Sequence, residues 1–330
     1  MNEEILRLKQ LKKYFQTKEG TVKAVDGVDL SLKQGETLGL VGESGSGKST
    51  IAYTVMGMYQ PSDGELLFRG EDIGYKQSQR SKFLKKNIQI VFQDPGTSLN
   101  PRQSIKQILG MPLRVHNIVK PAERTKKILN LLEIVELPKS FINKYPLEIG
   151  EGEKQAVAIA RVLAVEPSLI VLDEPTSALD VSMQAKIINL LMELQKEFNF
   201  SYLFITHDLS LMRNVATRVA IMYLGRIYEV ASAREFFQNP LHPYTKMLIS
   251  SVPVVLEVEE KMKPLKAESR GEIPSPVNIP TGCGFNPRCM ERLDLCRRQA
   301  AELIEVRPEH YVCCHKYEKW RDIDEIQGSS

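Results

Sequence analysis

An α/β fold is what the 330-residue chain predicts, on three observations. Short apolar runs alternate with helix-length stretches across residues 36–230. One run, Ser168–Leu172, is continuously apolar, as strands buried on both faces of a parallel sheet are. Another, Glu36–Val41, runs straight into a glycine-rich turn and then a helical pattern.

Residues 5–41 alternate apolar and polar and read as strands, and 48–58 as a helix. Asn87–Phe92 is a second buried strand, and 103–135 carry helical pattern without strand pattern. A helix over about 153–165 precedes the Ser168–Leu172 strand, and helix 181–197 leads into strand Tyr202–Thr206. Val219–Tyr223 and Gly225–Val230 add strands. The expected organisation is therefore a core domain over 1–250, with a helical insertion near 96–160, and an extension over 251–330. The extension opens with Pro253–Pro264 and Gly271–Pro280, and its proline punctuation reads as extended chain.

The composition, 42% hydrophobic and 26% charged, is that of a globular protein with room for two domains. A net charge of +3 gives no field that would favour nucleic acid. No run of about 18 apolar residues exists, so nothing in the sequence is expected to span a bilayer. The opening residues Met1–Leu8 carry no basic leader or apolar signal core, which predicts a cytosolic protein with reduced thiols. All five cysteines lie between 283 and 314, a clustering that suggests a local ligand set.

The chemistry starts at Gly42-Glu43-Ser44-Gly45-Ser46-Gly47-Lys48-Ser49-Thr50. Glycines in a strand–turn–helix context let backbone N–H groups turn around a polyphosphate. Lys48 is spaced to reach the β- and γ-phosphates, Ser49 to give a hydroxyl to Mg²⁺, and the helix N-terminus adds its dipole. Asp173 and Glu174 end the buried strand, where open α/β sheets bind ligands. An aspartate there suits Mg²⁺ through water, and a glutamate suits the polarising of an attacking water.

With five segments in order, the chain resembles an ABC-type ATPase: residues 42–50, Val91–Pro95, Glu153–Leu163, Leu169–Asp180 and Ile205–Leu209. The resemblance implies a P-loop NTPase of the ABC type, with a RecA-like core, an antiparallel β subdomain and a helical subdomain. It implies ATP and Mg²⁺, with Ser49, Gln93 and Asp173 around the metal, and Glu174, His207 and Gln93 as the catalytic set. Phe15 or Tyr14 would stack on adenine, and Ser177, Ala178, Leu179 and Asp180 would form a dimer-facing D-loop. A narrower resemblance rests on Phe92–Arg102, Asn143–Glu148, Asn239–Thr245 and Gly271–Cys283, which look like the oligopeptide/dipeptide importer ATPases. That group also includes nickel and oligosaccharide importers. It implies an ATPase subunit at the cytoplasmic face of the membrane, a second ATPase, two transmembrane permeases and an extracytoplasmic binding protein, with peptide as the commonest cargo. A soluble ABC ATPase and a low-turnover regulatory subunit are the competing classes. A single ATPase half with the importer tail argues against the first, and intact Glu174 and His207 against the second.

One segment departs from the family pattern. Where members read Ser-Gly-Gly-Gln, this chain has Gly150, Glu151, Gly152 and Glu153. By resemblance this signature caps the γ-phosphate held by a partner subunit. The glutamates either repel that phosphate or merely begin a helix, where acidic residues are stabilising by ~0.3–1 kcal/mol each. The first alternative predicts an asymmetric heterodimer, hydrolysing at this chain's own phosphate loop and slow at the opposite site.

Cys283, Cys289, Cys296 and Cys314 lack the close pairs of zinc fingers but suit zinc or an iron–sulfur cluster as a thiolate set, with reduced free thiols and a disulfide as the other readings. Some relatives bind a [4Fe–4S] cluster through such a tail. Cys314, and not its neighbour Cys313, matches by its place before His315.

Overall fold

A computed structural model of the chain describes residues 3–251 and 271–320; the proline-bounded stretch Pro253–Pro264 lies outside them. Two sheets organise it. The smaller is antiparallel, with β1 (Glu4–Thr17), β2 (Gly20–Lys33), β4 (Asp63–Phe68) and β5 (Glu71–Asp72) in the order β2-β1-β4-β5. The larger holds β3 (Thr37–Val41), β6 (Ile88–Val91), β7 (Leu169–Asp173), β8 (Ser201–Thr206), β9 (Arg218–Tyr223), β10 (Arg226–Ser232), β11 (Leu303–Arg307) and β12 (His310–Cys313). Its order is β11-β12-β10-β9-β3-β8-β7-β6. Strands β9, β3, β8, β7 and β6 run parallel, while β10, β12 and β11 are joined antiparallel.

Strands β3, β7 and β8 are buried at every position, as mostly apolar strands covered on both faces of a parallel sheet are. Helix α1 (Lys48–Val55) follows β3, and the short α2 (Lys82–Asn87) precedes β6. The expected helix over 48–58 stops early because Gly57 takes a left-handed φ of 74° and turns the chain.

The helical insertion contains α3 (Pro95–Ser98), α4 (Ile105–Val115), α5 (Arg124–Ile134) and α6 (Glu151–Leu163). Ser104 starts α4 with a capping box, its amide donating to Gln107 Oε1 at 2.8 Å. Arg161 of α6 donates to Ser98 O at 2.6 Å and ties the insertion together. The remaining helices are α7 (Val181–Phe198), α8 (Leu209–Val215), α9 (Ala233–Gln238) and α10 (Pro243–Ser251). Among the described residues no helix is long and apolar enough to cross a membrane.

The extension differs from the expected extended appendage. Residues 271–302 hold little regular structure, but β12 pairs with β10, so the tail completes the core sheet. Phe285, 1% exposed, is packed among Tyr223, Tyr244 and His242 with ring centroids 5.2–5.9 Å away. Burial of an aromatic side chain explains why this segment docks and does not trail.

Candidate functional site

Register alone brings the sequence-distant residues together. Val41 pairs with Thr206, Asp173 with Ile205, and Val91 with Leu172. Gly42, His207, Glu174 and Gln93 therefore leave the sheet at one edge, outside the carboxyl ends of parallel strands. There they line a cleft of about 640 Å³ with Ser44, Gly45, Gly47, Lys48, Ser49 and Thr50.

The glycine loop is shaped as an anion cradle. Gly47 has φ 109°, and a Cβ on it would lie 2.0 Å from Ala24 O, so no other residue fits. Lys48 is buried and donates to Gly42 O at 2.8 Å and Glu43 O at 3.0 Å. Burial lowers its pKa, opposed by the charges of Glu174, Asp173 and Glu43. Ser46 also faces the ammonium, its Oγ 3.4 Å away.

Ser49 Oγ donates to Asp173 Oδ1 at 3.0 Å. Asp173 is 1% exposed, and burial raises its pKa against the hydrogen bonds from Ser49 and Tyr53. A hydroxyl and a carboxylate adjoining a phosphate cradle are the oxygen donors that Mg²⁺ accepts. Glu174 sits at φ 47°, a left-handed conformation unusual for a non-glycine residue. This strained turn brings Oε2 to 3.1 Å from both Gln93 Nε2 and His207 Nδ1. A carboxylate with an amide and an imidazole on one oxygen keeps its other oxygen for a water.

The two candidate adenine platforms part company. Phe15 stands opposite Val22, which lines the cleft, and its ring meets Tyr59 edge-on at 5.1 Å. Tyr14 donates its hydroxyl to Asp26, and burial together with that bond pushes its pKa up to about 12. Phe15 is thus the ring on the cleft's side, while Tyr14 is held by the Asp26–Arg226 ion pair.

The altered signature lies elsewhere. Gly150, Glu151, Gly152 and Glu153 line a second cleft of about 750 Å³ with Ala178, Leu179, Asp180 and Met183. The two clefts share no residue. Glu153 folds back so that Oε2 accepts from Gly150 N at 2.8 Å, and Lys154 Nζ reaches Glu151 Oε1 at 2.5 Å. A Cβ on Gly152 would come within 2.0 Å of Met183 Cε. Asp180 caps α7 by accepting from Met183 N at 2.9 Å, and Ser177 Oγ donates to Glu174 O at 3.1 Å. That last bond links the segment 177–180 to the strained Glu174.

The five cysteines are free thiols. Among the described residues no group of three or more His, Cys, Asp or Glu is arranged to hold a single metal ion. Burial raises Cys283 to about 11 and Cys314 to about 12, and each also feels the charges of Cys296 and Cys289. Cys313 Sγ is engaged with Ala301 O at 3.1 Å. Cys296 is buried, Cys283, Cys289 and Cys314 are part-buried, and Cys283 N donates to Cys296 O at 2.8 Å.

Sequence reasoning missed the extension's part in the first cleft. Pro276 lines it, and Arg288 bonds Glu43 of the glycine loop. The Asn-Pro-Arg-Cys stretch displays the arginine, but nothing local points to a partner 245 residues away.

Comparison with known proteins gives one answer from several directions. Residues 25–177 match the ABC transporter family, and residues 228–296 match the family described as oligopeptide/dipeptide transporter, C-terminal region. The oligopeptide transport ATP-binding protein AppF of Bacillus subtilis is 49% identical over 96% of this chain and 98% of its own length. The dipeptide transport ATP-binding protein DppF of Haemophilus influenzae is 41% identical over 95% of this chain and 97% of its own. Among solved structures, the dimeric, post-hydrolysis ATP-binding cassette MJ0796 bound to ADP and Pi superposes with a TM-score of 0.62 at 30% identity. It covers 69% of this chain and 99% of that one.

Proposed function

The chain belongs to the oligopeptide/dipeptide branch of the ABC-transporter ATP-binding proteins, and on that premise we propose how its residues divide the work of powering peptide import. It is an ATPase, the ATP-hydrolysing subunit of a peptide importer. The division of roles below is our reading.

Residues 42–50 hold the triphosphate, with Lys48 at its β- and γ-phosphates and Phe15 against the base. Ser49 and Asp173 would hold Mg²⁺ with Gln93 nearby; when bound, the ion offsets phosphate charge. Glu174 orients and deprotonates the attacking water, with His207 and Gln93 fixing its carboxylate. The observation that carries this reading is the single Glu174 oxygen 3.1 Å from both Gln93 and His207 at the edge of the cradle. Separation of the signature from this cleft supports head-to-tail pairing with a second ATPase, each completing the other's site. Because Gly150 has no hydroxyl and two carboxylates, Glu151 and Glu153, follow it, the partner is a different chain whose own signature is intact. The hydrolytic site is then the one on this chain's loop.

The helical insertion leaves Met111, Val115, Tyr145 and Leu147 exposed, Leu147 at 80%, an apolar surface suited to two permeases at the cytoplasmic face of the membrane. A binding protein outside would supply the peptide; nickel and oligosaccharide are the other cargoes of such systems. Cys283, Cys289, Cys296 and Cys314 suit a [4Fe–4S] cluster, which is broader than one ion and would act as a structural clamp. Anaerobic purification followed by iron and sulfide analysis tests it, and an iron-free chain with visible absorbance unchanged by reconstitution would sink it.

The roles are tested by ATP turnover of the complex with its partner ATPase and permeases. Glu174→Gln here is expected to abolish turnover, while the matching change in the partner is tolerated. Equal losses from both would reject the asymmetric reading.

A further inference from the structure

A phosphate cradle is an unexpected place for a carboxylate, yet Glu43 is the second residue of this loop. Its side chain does not stand free. Arg288 of the extension grips it with both terminal nitrogens, Nη1 to Oε2 at 2.7 Å and Nη2 to Oε1 at 3.1 Å. The guanidinium lies 5.7 and 5.6 Å from the ring centroids of Tyr223 and Phe285 and is 7% exposed. Tyr244 accepts the backbone N–H of Glu43 at 3.1 Å. A planar fork fixed between rings is a rigid partner, of a kind that a lysine cannot replace.

The contact is not isolated. Pro276 of the same extension lines the cleft beside Val22 and Ala24. Its neighbour Val277 packs so closely on Gly20 that a Cβ there would sit 2.9 Å from Val277 Cγ1. The extension thus meets the glycine loop at Glu43 by charge and the cleft wall near Pro276 and Gly20 by shape.

We propose that Arg288 is the counter-ion of the phosphate loop, pairing with Glu43 so that the loop carboxylate neither repels a bound polyphosphate nor swings into its place. The C-terminal extension is then a wall of the nucleotide site, and loosening it lowers nucleotide affinity without touching Lys48, Asp173 or Glu174. This rests on residues 42–50 being the nucleotide site. Arg288 is a positioning residue: it acts through Glu43.

The test is calorimetric binding of ADP and of a non-hydrolysable ATP analogue with Mg²⁺ to the full chain. The variants are Arg288→Ala, Arg288→Lys, Glu43→Gln, Arg288→Ala with Glu43→Gln, and Lys48→Ala. Arg288→Ala is expected to weaken both nucleotides about tenfold, with the loss shrinking at high salt. Removing the stranded charge in the double variant is expected to restore affinity to within about threefold of Glu43→Gln. Lysine should rescue only in part. If Arg288→Ala does not fold, Arg288→Gln keeps the stem among the rings and carries the same comparison. An unchanged affinity in the arginine variant, or a double variant as weak as the single, overturns the proposal. If Lys48→Ala still binds as wild type, the nucleotide-site reading itself fails; if it loses binding while the Arg288 variants do not, only the counter-ion role does.

Discussion

Replacing Glu153 with glutamine separates the two meanings of the altered signature. Both carboxylates sit in the first turn of α6, where a helix offers N–H groups and a positive dipole end to an anion. Lys154 offsets Glu151 at 2.5 Å, which leaves Glu153 as the unbalanced charge, its Oε2 already on Gly150 N. A γ-phosphate arriving from a partner would compete for that donor. At ~6 Å separation the repulsion is about 0.7 kcal/mol at the dielectric of water and about 2.8 kcal/mol at an effective value near 20. Glu153→Gln keeps an oxygen for the cap and removes the charge. It should therefore lower the nucleotide concentration needed for pairing by between about threefold and about a hundredfold. The same change removes a favourable dipole interaction, so the isolated chain should lose ~0.3–1 kcal/mol of stability. Sedimentation velocity of the two ATPases, titrated with a non-hydrolysable ATP analogue, reads the first effect, and urea unfolding reads the second. A pairing midpoint unchanged within about twofold, or Glu151→Gln acting as strongly, would refute the charge argument and leave the glutamates as an ordinary helix start.

Other outcomes follow from the geometry. Glu174→Gln should reduce turnover by about 10²–10⁴ while nucleotide binding persists, measured by single-turnover hydrolysis beside equilibrium binding. Gly152→Ala should change stability in thermal unfolding by less than ~1 kcal/mol, because its methyl meets the flexible end of Met183, which can move aside, while the helix gains an alanine. His242 is fully buried, and burial drives its pKa down to about 3. Between the ordinary pKa of 6.5 and about 3 the unfolded chain binds a proton that the folded chain refuses, so stability falls as pH falls below 6.5. The loss between pH 6.5 and 5 is ~2 kcal/mol, and denaturation of His242→Gln should show a correspondingly flatter pH profile.

Parts of this molecule declare themselves locally, and parts do not. The β3–loop–α1 unit is legible because three local features coincide: an apolar run, glycines where only glycine fits, and a lysine at the helix start. Asp173 and Glu174 are legible for the same reason, since Leu169–Leu172 is an unbroken apolar strand. Gln93 and His207 show no such local signal; only the parallel register of β6, β7 and β8 brings them to Glu174, and a resemblance was needed to name them. The tail strands are not legible in the sequence because β11 and β12 are only five and four residues long, and what fixes them to the core is the pairing of β12 with β10, distant in sequence. Such pairing depends on where an edge happens to be open, which no window of sequence contains. The ion pair of Arg288 with Glu43 is illegible for the same reason.

The late strand has a consequence for how the protein is born. During synthesis β10 is made roughly 80 residues before β12, a lag of ~4–16 s at ordinary elongation rates. Throughout that interval the side of β10 that will receive β12 offers unpaired peptide groups beside a folded sheet, the arrangement that recruits other strands. The nascent chain therefore needs shielding at this edge until His310–Cys313 emerges, and a ribosome stalled in the cysteine segment would release a protein with a sticky flank.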